Sequence, residues 1–177
     1  MIKINSLHDL HDETILEELI SGGETSTLEF KRDIININNA AKLMSSFANT
    51  DGGIILFGID DNGIIRGINN PEQFKEFVQN TFIKATPEIS GYSSGIVLLK
   101  EKSLGCILIW PQRGFPVAVN GQYFRRVGHQ TVAFGVEEFK KVIQERDEPT
   151  SLFLSQAELQ NFLELADEDT FIEILLV

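Results

Sequence analysis

A single cysteine, Cys106, is all the sulfhydryl this chain has, and it lies inside an apolar, strand-like run, Cys106-Ile-Leu-Ile-Trp110. No internal disulfide can form. That excludes a disulfide-stapled scaffold, fits a reducing cytoplasm, and makes Cys106 a core residue rather than a nucleophile. No apolar run is long enough to span a membrane, and no basic-then-apolar segment opens the sequence, so neither a membrane partner nor a secretory signal is expected. The Gly-x4-Gly-Lys-Ser/Thr pattern is missing, which leaves a P-loop ATPase without support. Positive charge is scarce too. Fifteen Lys and Arg stand against 26 Asp and Glu, a net of −11, and contacts to nucleic-acid phosphates need local positive charge.

The distribution of that charge softens the objection. From Glu145 onward there are nine acidic residues against one basic residue, Arg146, a net of −8, whereas residues 1 to 144 carry 17 acidic and 14 basic residues, a net of −3. The acidity belongs mainly to the tail. A length of 177 residues with 42% hydrophobic content suits one α/β (α+β) domain over 1–148, with a mixed, mainly antiparallel sheet and flanking helices, followed by an acidic amphipathic extension over 149–177.

What is present in unusual density is carboxylate near glycine. Glu24-Thr-Ser-Thr-Leu-Glu29-Phe-Lys31 is followed, about one helix later, by Ser46-Phe-Ala-Asn-Thr-Asp-Gly-Gly-Ile-Ile-Leu-Phe-Gly-Ile-Asp60-Asp61. Positions five apart on a strand have opposite parity, so Glu24 and Glu29 converge only if the chain bends between them. Thr25, Ser26 and Thr27 can bend it, because their hydroxyls compete for backbone groups. From Leu28 the pattern alternates, which places Glu29 and Lys31 on one face and Leu28 and Phe30 on the other. Ala40, Leu43, Met44 and Phe47 recur at helical spacing, with Asn36 or Asn38 as N-cap, and Asp51-Gly52-Gly53 ends the helix. Ile54–Ile59 reads as a buried strand, and Asp60-Asp61-Asn62-Gly63 as a hairpin turn into Ile64-Ile65-Arg66.

These motifs, with Pro116-Val-Ala-Val and Gln122-Tyr-Phe-Arg125-Arg126-Val127-Gly128 downstream, resemble the Schlafen AlbA-like domain over roughly residues 20 to 145. Members of that family are described as DNA-binding modules of bacterial regulators, and the vertebrate Schlafen core as an RNA endonuclease that uses two glutamates and an aspartate. The resemblance implies nucleic acid, DNA or RNA, as partner. It also implies a candidate metal and catalytic set of Glu24, Glu29 and Asp60, with Lys31 accessory and Asp61 competing for the third place. Mg²⁺ or Mn²⁺ suits such carboxylates and could activate water against a phosphodiester. Lys31, Arg32, Arg125 and Arg126 are the candidate phosphate contacts. The alternatives are a non-catalytic transcriptional regulatory module and a protein-assembly domain. Schlafen cores resemble two lobes forming a clamp; this chain has one lobe, so a homodimer could rebuild the clamp, with the apolar C-terminal extension as a candidate contact.

The remaining segments read as scaffold. Residues 12 to 21 form an amphipathic helix stopped by Gly22-Gly23, and Pro71 opens another that carries Phe74, Phe77, Val78 and Phe82. Ile96–Leu99 and Cys106–Trp110 pair through 100–105, and Asn120-Gly121 makes a hairpin in which Arg125 and Arg126 take opposite faces. Gly91-Tyr-Ser93-Ser-Gly95 matches a nucleophile elbow only in letters and reads as a turn. His8 and His11 sit at a helix start, and His129 reads as a loop residue. Val136 to Arg146 is an expected helix, and Ser155 with Glu158 an expected capping box.

Overall fold

The computed structural model describes residue 4 and residues 6–112, 115–135 and 138; the expected helix over 136–146, the capping box at Ser155 and the 149–177 extension lie outside them. A short 3-10 turn, Leu7–His11, leads to Asp12, whose carboxylate accepts from Thr14 N and Ile15 N and starts helix α1, Glu13–Ser21. Leu16 and Ile20 are its buried positions. Strand β1, Leu28–Lys31, is followed by helix α2, Ile37–Ala48, capped by Asn36. Of the two candidate caps, it is Asn36 whose side chain accepts an amide, that of Asn38. Strand β2, Gly53–Phe57, begins at the second glycine of the pair. Both glycines are sterically required, since a Cβ on Gly52 would lie 2.4 Å from Ile109 O and one on Gly53 would lie 2.5 Å from the Phe47 ring.

Helix α3, Pro71–Phe82, comes next with the phenylalanines expected of it buried. Strands β3 (Ala85–Thr86), β4 (Tyr92–Leu99), β5 (Lys102–Ile109), β6 (Ala118–Val119), β7 (Gln122–Val127) and β8 (Gln130–Phe134) complete the order. They form two four-stranded sheets, β1-β2-β5-β4 and β3-β6-β7-β8. Only the β1–β2 pair is parallel, so the mixed, mainly antiparallel α+β class holds. Three details differ from the sequence reading. The β4–β5 hairpin turns tightly at Lys100 and Glu101, both at positive φ, so the strands run closer to the turn than expected. Ser93 lies within β4 rather than in a turn, and β3 and β8 had no counterparts among the expected strands.

The first sheet is covered on both faces. Leu10, Leu16 and Ile20 pack with Leu28, Phe30, Ile54 and Leu56 on one side. Met44, Phe47, Phe74 and Phe77 pack with Ile55, Phe57 and Ile107 on the other. Helix α2 is shared between the sheets, because its opposite side, through Ala41, meets Val119 and Phe124 of the second sheet. Asn49, at the C-terminal cap of α2, fixes that arrangement. Its side chain donates to Val117 O and Phe124 O, both over 2.8 Å, and accepts from Val117 N over 2.7 Å. A buried amide that satisfies three backbone groups ties the helix to the second sheet more specifically than apolar contact can. Among the described residues, no helix is long and apolar enough to cross a membrane.

Candidate functional site

Among the described residues, strand β1 lies at the edge of the first sheet, with β2 as its one neighbour, and one row of its backbone groups has no described strand to pair with. The residues before it supply the partners. Thr25 N donates to Leu28 O over 2.9 Å and Thr27 N to Thr25 Oγ1 over 3.1 Å, so the chain bends through Thr25–Thr27, where the hydroxyls were expected to bend it. The bend brings Glu24 alongside the strand, and its Oε1 accepts from Phe30 N over 2.8 Å. Glu24 thus closes part of the free edge.

Glu29 and Lys31 share the other face, as alternation requires. Glu29 is buried, at 7% exposure. One of its oxygens takes the Lys31 ammonium and the other takes Arg126 Nη2 over 2.8 Å. Lys31 Nζ also donates to Phe30 O over 2.9 Å. Arg126 comes from β7, a strand of the other sheet, and its side chain is almost wholly enclosed. It donates to Thr25 O over 3.1 Å and, over longer distances, to Ser26 O and Thr131 Oγ1, while its guanidinium lies 4.7 Å from the centre of the Phe47 ring. One arginine therefore pins the Thr25–Ser26 bend, neutralises Glu29 and stacks on the helix between the sheets.

A cleft of about 350 Å³ opens at this point, with Glu29, Lys31, Arg126 and Thr131 on its sheet walls, Asn39 from the first turn of α2, and His129 from the β7–β8 turn at its exposed rim. Lys31 is the partly accessible cation. Arg32 is exposed directly after β1. Arg125, on the opposite face of β7, pairs with Glu138 over 2.6 Å, so the two adjacent arginines do not form one strip.

Asp60 follows β2 in the turn closed by the Ile59–Ile65 bridge. Its Oδ1 accepts from Asn62 N and Ile64 N over 3.1 and 3.0 Å, and its Oδ2 accepts from Arg66. Burial of the carboxyl pushes its pKa up, but the Ile64, Arg66 and Asn62 hydrogen bonds and the Arg66 charge outweigh that, and the net shift is downward. Asp61 is exposed. Both oxygens of Glu29 and of Asp60, and Oε1 of Glu24, thus accept from N–H donors, and no group of three His, Cys, Asp or Glu among the described residues is placed to hold a metal ion. In this arrangement the donor set does not fit Mg²⁺ or Mn²⁺, which would need those oxygens free and convergent. Cys106 is fully buried and its thiol is pushed up to about 12 by desolvation, which makes it inert as a nucleophile.

Sequence reasoning found the bend and the Glu29–Lys31 pair. It gave Arg126 to phosphate contact without seeing Glu29 as its partner, and it gave Asn49 no role of its own. The signal for Asn49 was a polar residue between helix-face apolar residues and a glycine turn.

Residues 24–135 match the family model described as Schlafen, AlbA_2. Among solved structures, the DIP2311 protein from Corynebacterium diphtheriae is similar at a TM-score of 0.57 and 14% identity, over 74% of this chain and 28% of that one. That likeness concerns the fold, and this chain spans under a third of the other's length. The N-terminal domain of a RecG-related protein from Nitrosomonas europaea, named after ATP-dependent DNA helicases, is similar at a TM-score of 0.44 and 20% identity, over 67% of this chain and 89% of that one, which is too loose to argue from. No curated protein matches the chain.

Proposed function

The chain belongs to the Schlafen AlbA_2 family, and on that premise we propose that it binds nucleic acid, taking a backbone phosphate at the cleft between its two sheets. The observation that carries this reading is the charge of the cleft, whose lining among the described residues has two cations, Lys31 and Arg126, for one carboxylate, Glu29. One positive charge is left over. Arg126 is sealed in and serves to hold Glu29 and the bend; Lys31, half-buried with its ammonium shared between Glu29 and Phe30 O, is the group a phosphate can reach. The first turn of α2 adds its partial positive charge at Asn39, and exposed Arg32 lies just beyond Lys31.

The test is binding of labelled single- and double-stranded oligonucleotides at ~50 mM salt, where phosphate contacts are strongest. Lys31→Ala is expected to weaken binding to all sequences alike and to lower the slope of log affinity on log salt by about one. Glu29→Gln leaves the cleft with an additional net positive charge and is expected to tighten binding. No binding of any oligonucleotide at that salt would overturn the reading and favour a protein-assembly domain.

Metal-dependent cleavage is a separate claim, supported by the family resemblance and requiring the three carboxylates to leave their present partners. Incubation of transfer RNA and of single- and double-stranded DNA with Mn²⁺ or Mg²⁺ tests it. Cleavage by the wild type that is lost in Glu29→Ala supports it; binding without cleavage leaves a non-catalytic regulatory module. Pairing of two copies, which would bring two such clefts into one particle, is read by light scattering.

A further inference from the structure

On the other side of the Thr25–Thr27 bend lies a second cavity, a groove of about 520 Å³. Leu19, Leu28, Ile54 and Leu108 give it an apolar floor, and the half-exposed indole of Trp110, at 39%, stands in its wall. Its backbone is fixed, because Trp110 N donates to Gly91 O over 2.9 Å. A Cβ on Gly91 would lie 3.3 Å from Trp110 Cβ and 3.8 Å from Cε3 of the ring, so the tryptophan packs beside bare backbone. It makes no ring-ring or cation contact among the described residues. Among the described residues, the charged ones in the lining are Glu18 and Asp51, both acidic, beside the hydroxyl-bearing bend.

We infer that this groove seats one unpaired nucleobase, stacked on Trp110, while the phosphate of the same strand lies in the Lys31 cleft across the bend. The inference rests on the phosphate-binding reading of that cleft. Three observations choose this occupant. Among the described residues the groove has no cation in its lining, which suits the uncharged part of a nucleotide and not its phosphate. An aromatic face over an apolar floor, in a cavity of small-ligand size, is what stacks a base of any sequence. And the two cavities share a wall, since Thr25 and Ser26 line the groove while their carbonyls hold Arg126, which lines the cleft. A strand that crosses the bend meets the cation on one side and the indole on the other. The acidic rim sets a preference as well. Glu18 and Asp51 can accept from the exocyclic amino groups of adenine, cytosine and guanine, which uracil and thymine lack.

Trp110 is the chain's one tryptophan, so its emission reports on the groove directly. The full chain is titrated with single strands of about ten nucleotides, a length within the usual site size: oligo(A), oligo(U), and an abasic strand of equal length, with binding followed in parallel by anisotropy of a labelled strand end. Oligo(A) is expected to quench Trp110 strongly, oligo(U) to bind more weakly, and the abasic strand to bind without quenching. Trp110→Ala is expected to lower oligo(A) affinity about tenfold and to leave the abasic strand unchanged, and Trp110→Phe, which keeps a ring, to fall between. Binding by anisotropy with unchanged Trp110 emission would overturn the groove while leaving phosphate binding intact. No binding by anisotropy would overturn the cleft reading and this one with it. Quenching by a short leucine-lysine peptide, with none by oligo(A), would make the groove a peptide site and the inference wrong.

Discussion

Glu29 and Asp60 each sit against an arginine, and the pairs differ in where they lie. Glu29 and Arg126 come from different sheets, 97 residues apart, and are both enclosed. Asp60 and Arg66 belong to one surface turn, six residues apart, with the Arg66 side chain half-exposed. The first pair joins two halves of the fold and frames the cleft; the second decorates a turn that its own backbone already closes. The difference teaches that an acid–base pair's neighbours decide its weight. Enclosed charges depend on protein partners alone, while a pair with a half-exposed member shares its load with water.

The largest effect should follow removal of the enclosed arginine. Arg126→Ala strips Glu29 of a partner and leaves the Thr25 and Ser26 carbonyls without their donor, so a loss of about 3–5 kcal/mol in urea unfolding is expected. The comparison would break if Arg66→Ala lost as much. Next comes the bracket at Asn49. Asn49→Ala takes the side-chain partner from Val117 N, Val117 O and Phe124 O, and because local relaxation recovers part of that cost the expected total is about 3 kcal/mol. Its loss should concentrate in the second sheet, with amides of β6 and β7 exchanging faster than those of β2 and β5. Uniform loss of protection across both sheets would show that the bracket is not local.

Glu24 gives a smaller and more diagnostic change. Glu24→Ala frees Phe30 N at the edge of β1 and should lose about 1–3 kcal/mol, whereas Glu24→Gln retains an acceptor and should lose less. If both variants were as stable as the wild type, the carboxylate would not be a strand-edge partner, and its place among metal ligands would regain ground.

How much of this was legible depended on sequence distance. Parity alone required a bend between Glu24 and Glu29, and Thr25 to Thr27 supply it, because hydroxyl competition for backbone acts over two or three residues. Parity also separated Arg125 from Arg126 correctly. It could not show that Glu24 would turn to Phe30 N, since that depends on β1 being an edge strand, a fact of sheet order. Arg126's destination is set by how two sheets meet across α2, and nothing in Gln122–Val127 encodes it. Strand β8 escaped because Gln130–Phe134 does not alternate; Val132 and Ala133 are both exposed. The first half of β4 escaped because Tyr92–Gly95 is polar and small, and takes its strand form from pairing with Cys106–Ile109.

The smallest effect belongs to Asp60, and its sign follows from the direction of its pKa. The carboxyl titrates below its ordinary value of 3.8 in the folded chain, so the unfolded state binds the proton first as pH falls. The stability contributed by the ionised form is therefore fully present above the unfolded value and is lost as pH drops through the folded one. Asp60→Asn, which keeps one acceptor for Ile64 N and Asn62 N but carries no charge for Arg66, should be slightly less stable than the wild type at neutral pH, and the gap should close as pH falls below about 4, which flattens the acid side of its stability profile. Added salt should narrow the gap between the two proteins further, because an exposed pair is screened. An acid limb that stays unchanged in Asp60→Asn would mean that the turn holds Asp60 no more tightly when it is charged, and the contrast with Glu29 would then rest on burial alone.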